Sequence, residues 1–100
     1  MTKMTKLTAD QFEYFTKGCE GCNRIGIHTF SVCFDSIDGK SEIVLQYWFD
    51  RESEEVHVSI GERPYTQVRP SNFSLQLANF EAPSVESLRN WLVISNYLSE

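Results

Sequence analysis

The sequence predicts an α+β domain: an antiparallel meander of three to four strands, with an N-terminal and a C-terminal helix packed on one of its faces. Three observations carry that reading. From Thr29 to Ile60 apolar residues fall at every second position, at Phe30, Val32 and Phe34, then Ile43, Leu45, Tyr47 and Phe49, then Val56, Val58 and Ile60, which is the period of half-buried strands. Asp38-Gly39 stands between the first two runs, a dipeptide suited to a tight hairpin. Helical spacing appears only outside this block, at Phe12 and Phe15 and again at Val85, Leu88, Trp91, Leu92 and Leu98. With 100 residues, 41% of them hydrophobic and 13% aromatic, residues 1–100 form a single domain with material for one core.

The first helix opens at "LTADQFEYF". Thr8 is its cap, Gln11 completes a capping box, and Leu7 with Phe12 forms a hydrophobic staple. Gly18 is placed to end it, which leaves Cys19 and Cys22 in a loop. A hairpin centred on Asp38-Gly39 pairs Phe34 with Ile43, Val32 with Leu45 and Phe30 with Tyr47, so all the large apolar side chains share a face. It also sets Asp35 opposite Glu42, a mildly unfavourable pair. An even loop of two or four residues centred on Glu52 and Ser53 then pairs Phe49 with Val56, Tyr47 with Val58 and Trp48 with His57. Gly61, Pro64 and Pro70 mark "GERPYTQVRPSNF" as a crossing loop. Residues 72–80 are open between a strand, through Phe73, Leu75 and Leu77, and a helix, through Phe73, Leu77 and Phe80. Ser84 after Pro83 caps the second helix, and Glu86 suits its positive end.

Composition narrows the functions. A formal charge of −5 opposes the general attraction to phosphate backbones, so nucleic acid is not expected as a partner. "MTKMTKLTADQF" has no apolar run after its lysines and no stretch reaches spanning length, so neither export nor a membrane is expected. The odd count of three cysteines fits reduced thiols in the cytoplasm.

Cys19, Cys22, His28 and Cys33 follow C-x2-C-x5-H-x4-C, one residue longer than the zinc knuckle, a compact nucleic-acid-binding unit, that the pattern resembles. Strand parity turns His28 inward and Cys33 outward, so no shared metal is expected; a zinc-stabilised nucleic-acid module on these four residues is the alternative reading. A second alternative is thiol redox chemistry at Cys19 and Cys22, but the pair lacks the helix N-terminus that lowers a thiol pKa in thioredoxin-like sites. Cys33 and His57 stand roughly 16 Å apart on neighbouring-strand spacings, too far for a nucleophile and its base. Asp50, Glu52, Glu54 and Glu55 gather at a solvated turn without an apolar pocket. No phosphate-binding glycine loop is present. Neither a catalytic residue nor a cofactor or metal is therefore expected, and the protein reads as a non-enzyme. Arg63, Tyr65 and Arg69, near Phe73, are the best case for nucleic acid, though two arginines on one loop also suit ordinary surface ion pairs.

The sheet face opposite the helices should display Thr29, Ser31, Cys33, Val44, Gln46, Trp48, His57 and Ser59. A polar outer face is usual for an open antiparallel sheet, but an exposed tryptophan beside a histidine has the composition of an interface anchor. The expected function is that of a small acidic interaction module, an adaptor or inhibitor, binding a protein partner through Thr29, Val44, Gln46, Trp48 and His57, or pairing with itself at a strand edge. Its size class includes inhibitors encoded by phages and mobile elements, such as anti-restriction and anti-CRISPR proteins.

Overall fold

The computed structural model describes residues 5–64 and 78–99. Helix α1 (Ala9–Ile25) leads into strands β1 (Thr29–Asp35), β2 (Ser41–Asp50), β3 (Glu55–Pro64) and β4 (Ala78–Ala82), and helix α2 (Val85–Ile94) follows. The four strands form one antiparallel sheet in the order β1-β2-β3-β4. The protein is thus an α+β domain with a meander-like sheet, as its alternation and turns require.

Local chemistry starts α1 as its sequence indicates. The Thr8 hydroxyl accepts from the Gln11 amide and the Gln11 side chain accepts from the Thr8 amide, while Leu7 and Phe12 are both buried. The helix does not stop at Gly18. It continues for two further turns, because Cys19 and Cys22 extend the apolar stripe of Phe12 and Phe15 into the core. Gly18 serves a close approach instead: the Phe30 ring packs where its side chain would be. Termination falls to Gly26, left-handed at φ 79°, with its amide and that of Ile27 donating to the Cys22 carbonyl.

The two hairpin registers follow the alternation. Phe34 pairs with Ile43 and Phe30 with Tyr47; Trp48 pairs with His57 and Phe49 with Val56. The first connection is longer than a two-residue turn, since Ser36 already bonds to Ser41 and Ile37 to Lys40 form the loop, with a turn from Ser36 to Gly39 inside it. A longer even loop about the same centre preserves every pairing. Arg51 to Glu54 make the second loop, Asp50 pairing with Glu55 across it.

The third strand outruns its sequence reading. Gly61 to Pro64 continue β3 alongside Ser41 to Val44 rather than leaving in a loop, because β2 begins early enough to hydrogen-bond them and Pro64 sits at the strand end, where a missing donor matters least. A fourth strand exists, but at Ala78–Ala82; Phe73, Leu75 and Leu77, on which the sequence reading rested, lie outside the described residues. It joins β3 with a register shift between Ile60 and Gly61.

Both helices cover one face. Phe12, Phe15, Cys19 and Cys22 of α1 and Leu88 and Leu92 of α2 meet Ile43, Leu45, Tyr47, Val58, Ile60 and Ala82 in one buried cluster, where each fully buried Leu or Ile contributes about 1.5–3 kcal/mol. Phe15 stacks on Phe30 at 6.1 Å, and Phe80 lies parallel to Trp91 at 4.6 Å. The Ser84 hydroxyl caps α2 by accepting from the Ser87 amide. The helix ends before Leu98, in a left-handed turn at Asn96 (φ 61°) that returns the Tyr97 amide to the Leu92 carbonyl. Leu98 reaches the core by that turn, not by helical spacing, and forms a parallel bridge with Leu7.

Candidate functional site

Three strands build the outer face around Trp48. Thr29 and His57 flank it on β1 and β3, and the indole, 45% exposed, packs against the imidazole at 5.1 Å between ring centres. His57 is held in place by two carboxylates: its Nδ1 is 3.0 Å from Glu81 on β4 and its Nε2 is 3.6 Å from Glu55. The Ser59 hydroxyl donates to the Gln46 amide oxygen at 3.4 Å. Beside the indole runs a groove of about 520 Å³ lined by Thr29, Phe30, Ser31, Gln46, Tyr47 and Trp48. Thr29, Gln46, Trp48 and His57 therefore lie together on one surface.

Val44 does not join them. Its register, opposite Cys33 and Gly61, puts it on the outer side, yet it is only 3% exposed, and Gly61 and Arg63 on the same side are buried as well. Strand parity fixes which side a residue takes, not whether that side is covered. The outer face is closed around Val44 and open around Trp48.

The closed end holds polar chemistry that the sequence reading missed. Glu62, on the inner side of β3, accepts from Lys6 and Ser41 on one oxygen, both at 2.6 Å, and from the Tyr97 hydroxyl on the other at 2.7 Å. Burial alone would raise its pKa, but these three donors outweigh it and hold the carboxyl below the usual range. Arg63 donates to Glu42 at 2.6 Å directly across the β2–β3 ladder, with both groups largely buried, and Glu42 is thereby compensated where Asp35 stands opposite it. The available signal was length: ten paired residues in the second hairpin would have set Arg63 against Glu42. Arg63 is thus engaged in the fold, and Tyr65, Arg69 and Phe73 lie outside the described residues.

Cys19 and Cys22 sit under α1 in the core, whereas Cys33 is exposed on the sheet. Half-buried His28 lies at the start of β1, its carbonyl accepting from Phe49. The three sulfurs do not converge, and no group of three or more metal-ligating side chains comes together among the described residues. Burial, reinforced by Cys22, pushes the Cys19 thiol up to about 12, opposite to the shift that activates a redox thiol. Tyr47, beside this pair, has a buried hydroxyl without a hydrogen-bond partner among the described residues, and burial followed by Cys19 and Cys22 raises its pKa too. In the acidic turn, Asp50 accepts from the Glu52 amide at 3.0 Å, and this bond leads the causes that hold it below the ordinary carboxylate range.

No helix among the described residues is long and apolar enough to cross a membrane. No family model matches the chain, and no curated protein or solved structure does so either.

Proposed function

We propose that this protein is a small non-enzymatic interaction module of the cytoplasm, an adaptor or inhibitor that binds a protein partner through the open sheet face around Trp48. The observation that supports this reading most is the half-exposed Trp48 indole, held against His57 at 5.1 Å at the margin of a groove. A tryptophan needed for the core would be turned inward, as Trp91 is between Phe80 and Tyr97. A large aromatic fixed by its neighbours loses little entropy when a partner covers it, which is why such residues concentrate binding energy. Inhibitors from phages and mobile elements share the size and acidity of this chain, and a role of that kind is the form of the proposal most open to genetic test.

The test is affinity capture from the native host with wild type and Trp48→Ala side by side. A partner bound through this face is retained by wild type and lost by the variant, with affinity weakened by about 2 kcal/mol or more and the thermal midpoint nearly unchanged. A sharp fall in the midpoint would assign Trp48 to the fold instead, and equal retention would place the binding surface elsewhere.

A further inference from the structure

Charge is distributed unevenly over the sheet. Among the residues of the four strands the one Lys or Arg is Arg63, buried against Glu42 at the end away from Trp48. Carboxylates gather on one side of Trp48, toward the β2–β3 turn and β4. Asp50 lies two residues along β2 on the same side, directly opposite Glu55. Glu55 and Glu81 flank His57, with side chains 67% and 61% exposed. Glu52 and Glu54 add charge in the adjoining turn, whose Arg51 is directed to the Gly26 carbonyl at the end of α1. Like charges placed opposite each other, as at Asp50 and Glu55, cost stability, and a cation bound between them would relieve it. An exposed indole with carboxylates beside its histidine neighbour offers both halves of what a guanidinium needs: a ring for the planar ion to stack on and oxygens within reach of its N–H groups. Lysine offers a point charge without the plane.

Building on the proposed protein-binding role, we infer that the partner segment seated on the Trp48 face is basic and presents an arginine to the indole, with Glu55 and Glu81 as its counter-charges.

The probe is a capped peptide of alternating arginine and glycine, with counterparts carrying lysine, glutamine or glutamate in place of arginine. Binding is read on the full chain by NMR at the Trp48 indole N–H, assigned with Trp48→Phe; the indole of Trp91, half-buried between Phe80 and Tyr97 on the helix-covered side, is the internal reference. The arginine peptide shifts the Trp48 signal and not that of Trp91, the lysine peptide binds at least about threefold and the glutamine peptide at least about tenfold more weakly, and added salt weakens the complex. Glu55→Gln with Glu81→Gln lowers affinity at least about fivefold, whereas Glu13→Gln with Glu20→Gln, which removes the same charge from α1, does not. The inference is overturned if the glutamine or glutamate peptide moves Trp48 as far, if the α1 pair weakens binding as much as the sheet pair, or if no peptide moves Trp48. Those results leave the broader reading standing so long as Trp48→Ala still abolishes capture from the host. Loss of that difference, with the arginine peptide still bound, would remove the broader reading and leave only a preference of this face for arginine.

Discussion

The ring of Phe30 occupies the place that a side chain at Gly18 would take: a Cβ there would stand 2.3 Å from two ring atoms. Gly21, one turn later in the same helix, meets nothing within 4 Å at the corresponding position among the described residues, its own helix backbone and chain neighbours aside. Two glycines of one helix should therefore respond oppositely to alanine. Gly18→Ala should destabilise by about 1–3 kcal/mol through overpacking, and Gly21→Ala should stabilise by about 0.5–1 kcal/mol through restored helix propensity. Urea denaturation of both variants measures the pair, and matching signs would mean that α1 does not run through Gly18.

Val32 and Ser31 are neighbours on β1 with opposite surroundings, since Val32 packs against the core and Ser31 is exposed. Val32→Asp should prevent stable folding by placing an unpaired carboxylate between Phe30 and Phe34, while Ser31→Asp should shift stability by less than about 0.5–1 kcal/mol. Circular dichroism melts would show the difference, and equal effects would overturn the facing of the strand.

Thiol reactivity should report the same layering. In native protein at neutral pH one cysteine, Cys33, should react promptly with a disulfide reagent, and Cys19 and Cys22 should react only at the rate of unfolding. The raised value of Cys19 adds a pH effect of defined sign. A thiol that holds its proton more tightly when folded supports the fold up to the ordinary thiol range, and that support is lost as pH rises from there toward about 12. Cys19→Ala should flatten the alkaline fall in stability, as measured by denaturation at stepped pH.

Glu62 should control the acid limb. Its folded value lies below the ordinary one, so its contribution is complete above the usual glutamate range and disappears as pH falls through the lower folded value. Glu62→Gln should cost about 1–2 kcal/mol at neutral pH through weakened bonds to Lys6, Ser41 and Tyr97 and make stability less dependent on acid. An unchanged acid slope in the variant would mean that other carboxylates dominate it.

The hairpins were legible in the sequence because the side-chain period of a strand is two: at Phe34–Ile43 the alternation and the Asp38-Gly39 turn specify one register independently, and at Trp48–His57 the alternation alone selects an even loop. The end of α1 was not, because glycine terminates helices at left-handed positions and also permits close packing inside them; which applies at Gly18 depends on Phe30, which sequence proximity does not supply. Gly61 to Pro64 were misread for a related reason, since proline is excluded from central pairing but tolerated at a strand end, and only the partner strand shows where that end falls. For the candidate site, the pairing of Trp48 with His57 could be derived from parity. The covering of Val44 and the two carboxylates holding His57 depend on packing and on the fourth strand, which lay beyond the reach of a local pattern.

The bridge between Leu7 and Leu98 has a consequence for the order of folding. The two hairpins close short loops and can form early, whereas this contact must wait until nearly the whole chain has been brought into place, with an entropic cost that grows with the logarithm of the intervening length. Because the Tyr97 carbonyl receives the amides of both Lys6 and Leu7 and its hydroxyl reaches Glu62, the two extremities are fastened through one residue. They should fray together as a single cooperative unit, with the Lys6, Leu7 and Leu98 amides exchanging hydrogen in concert and ahead of the central strands.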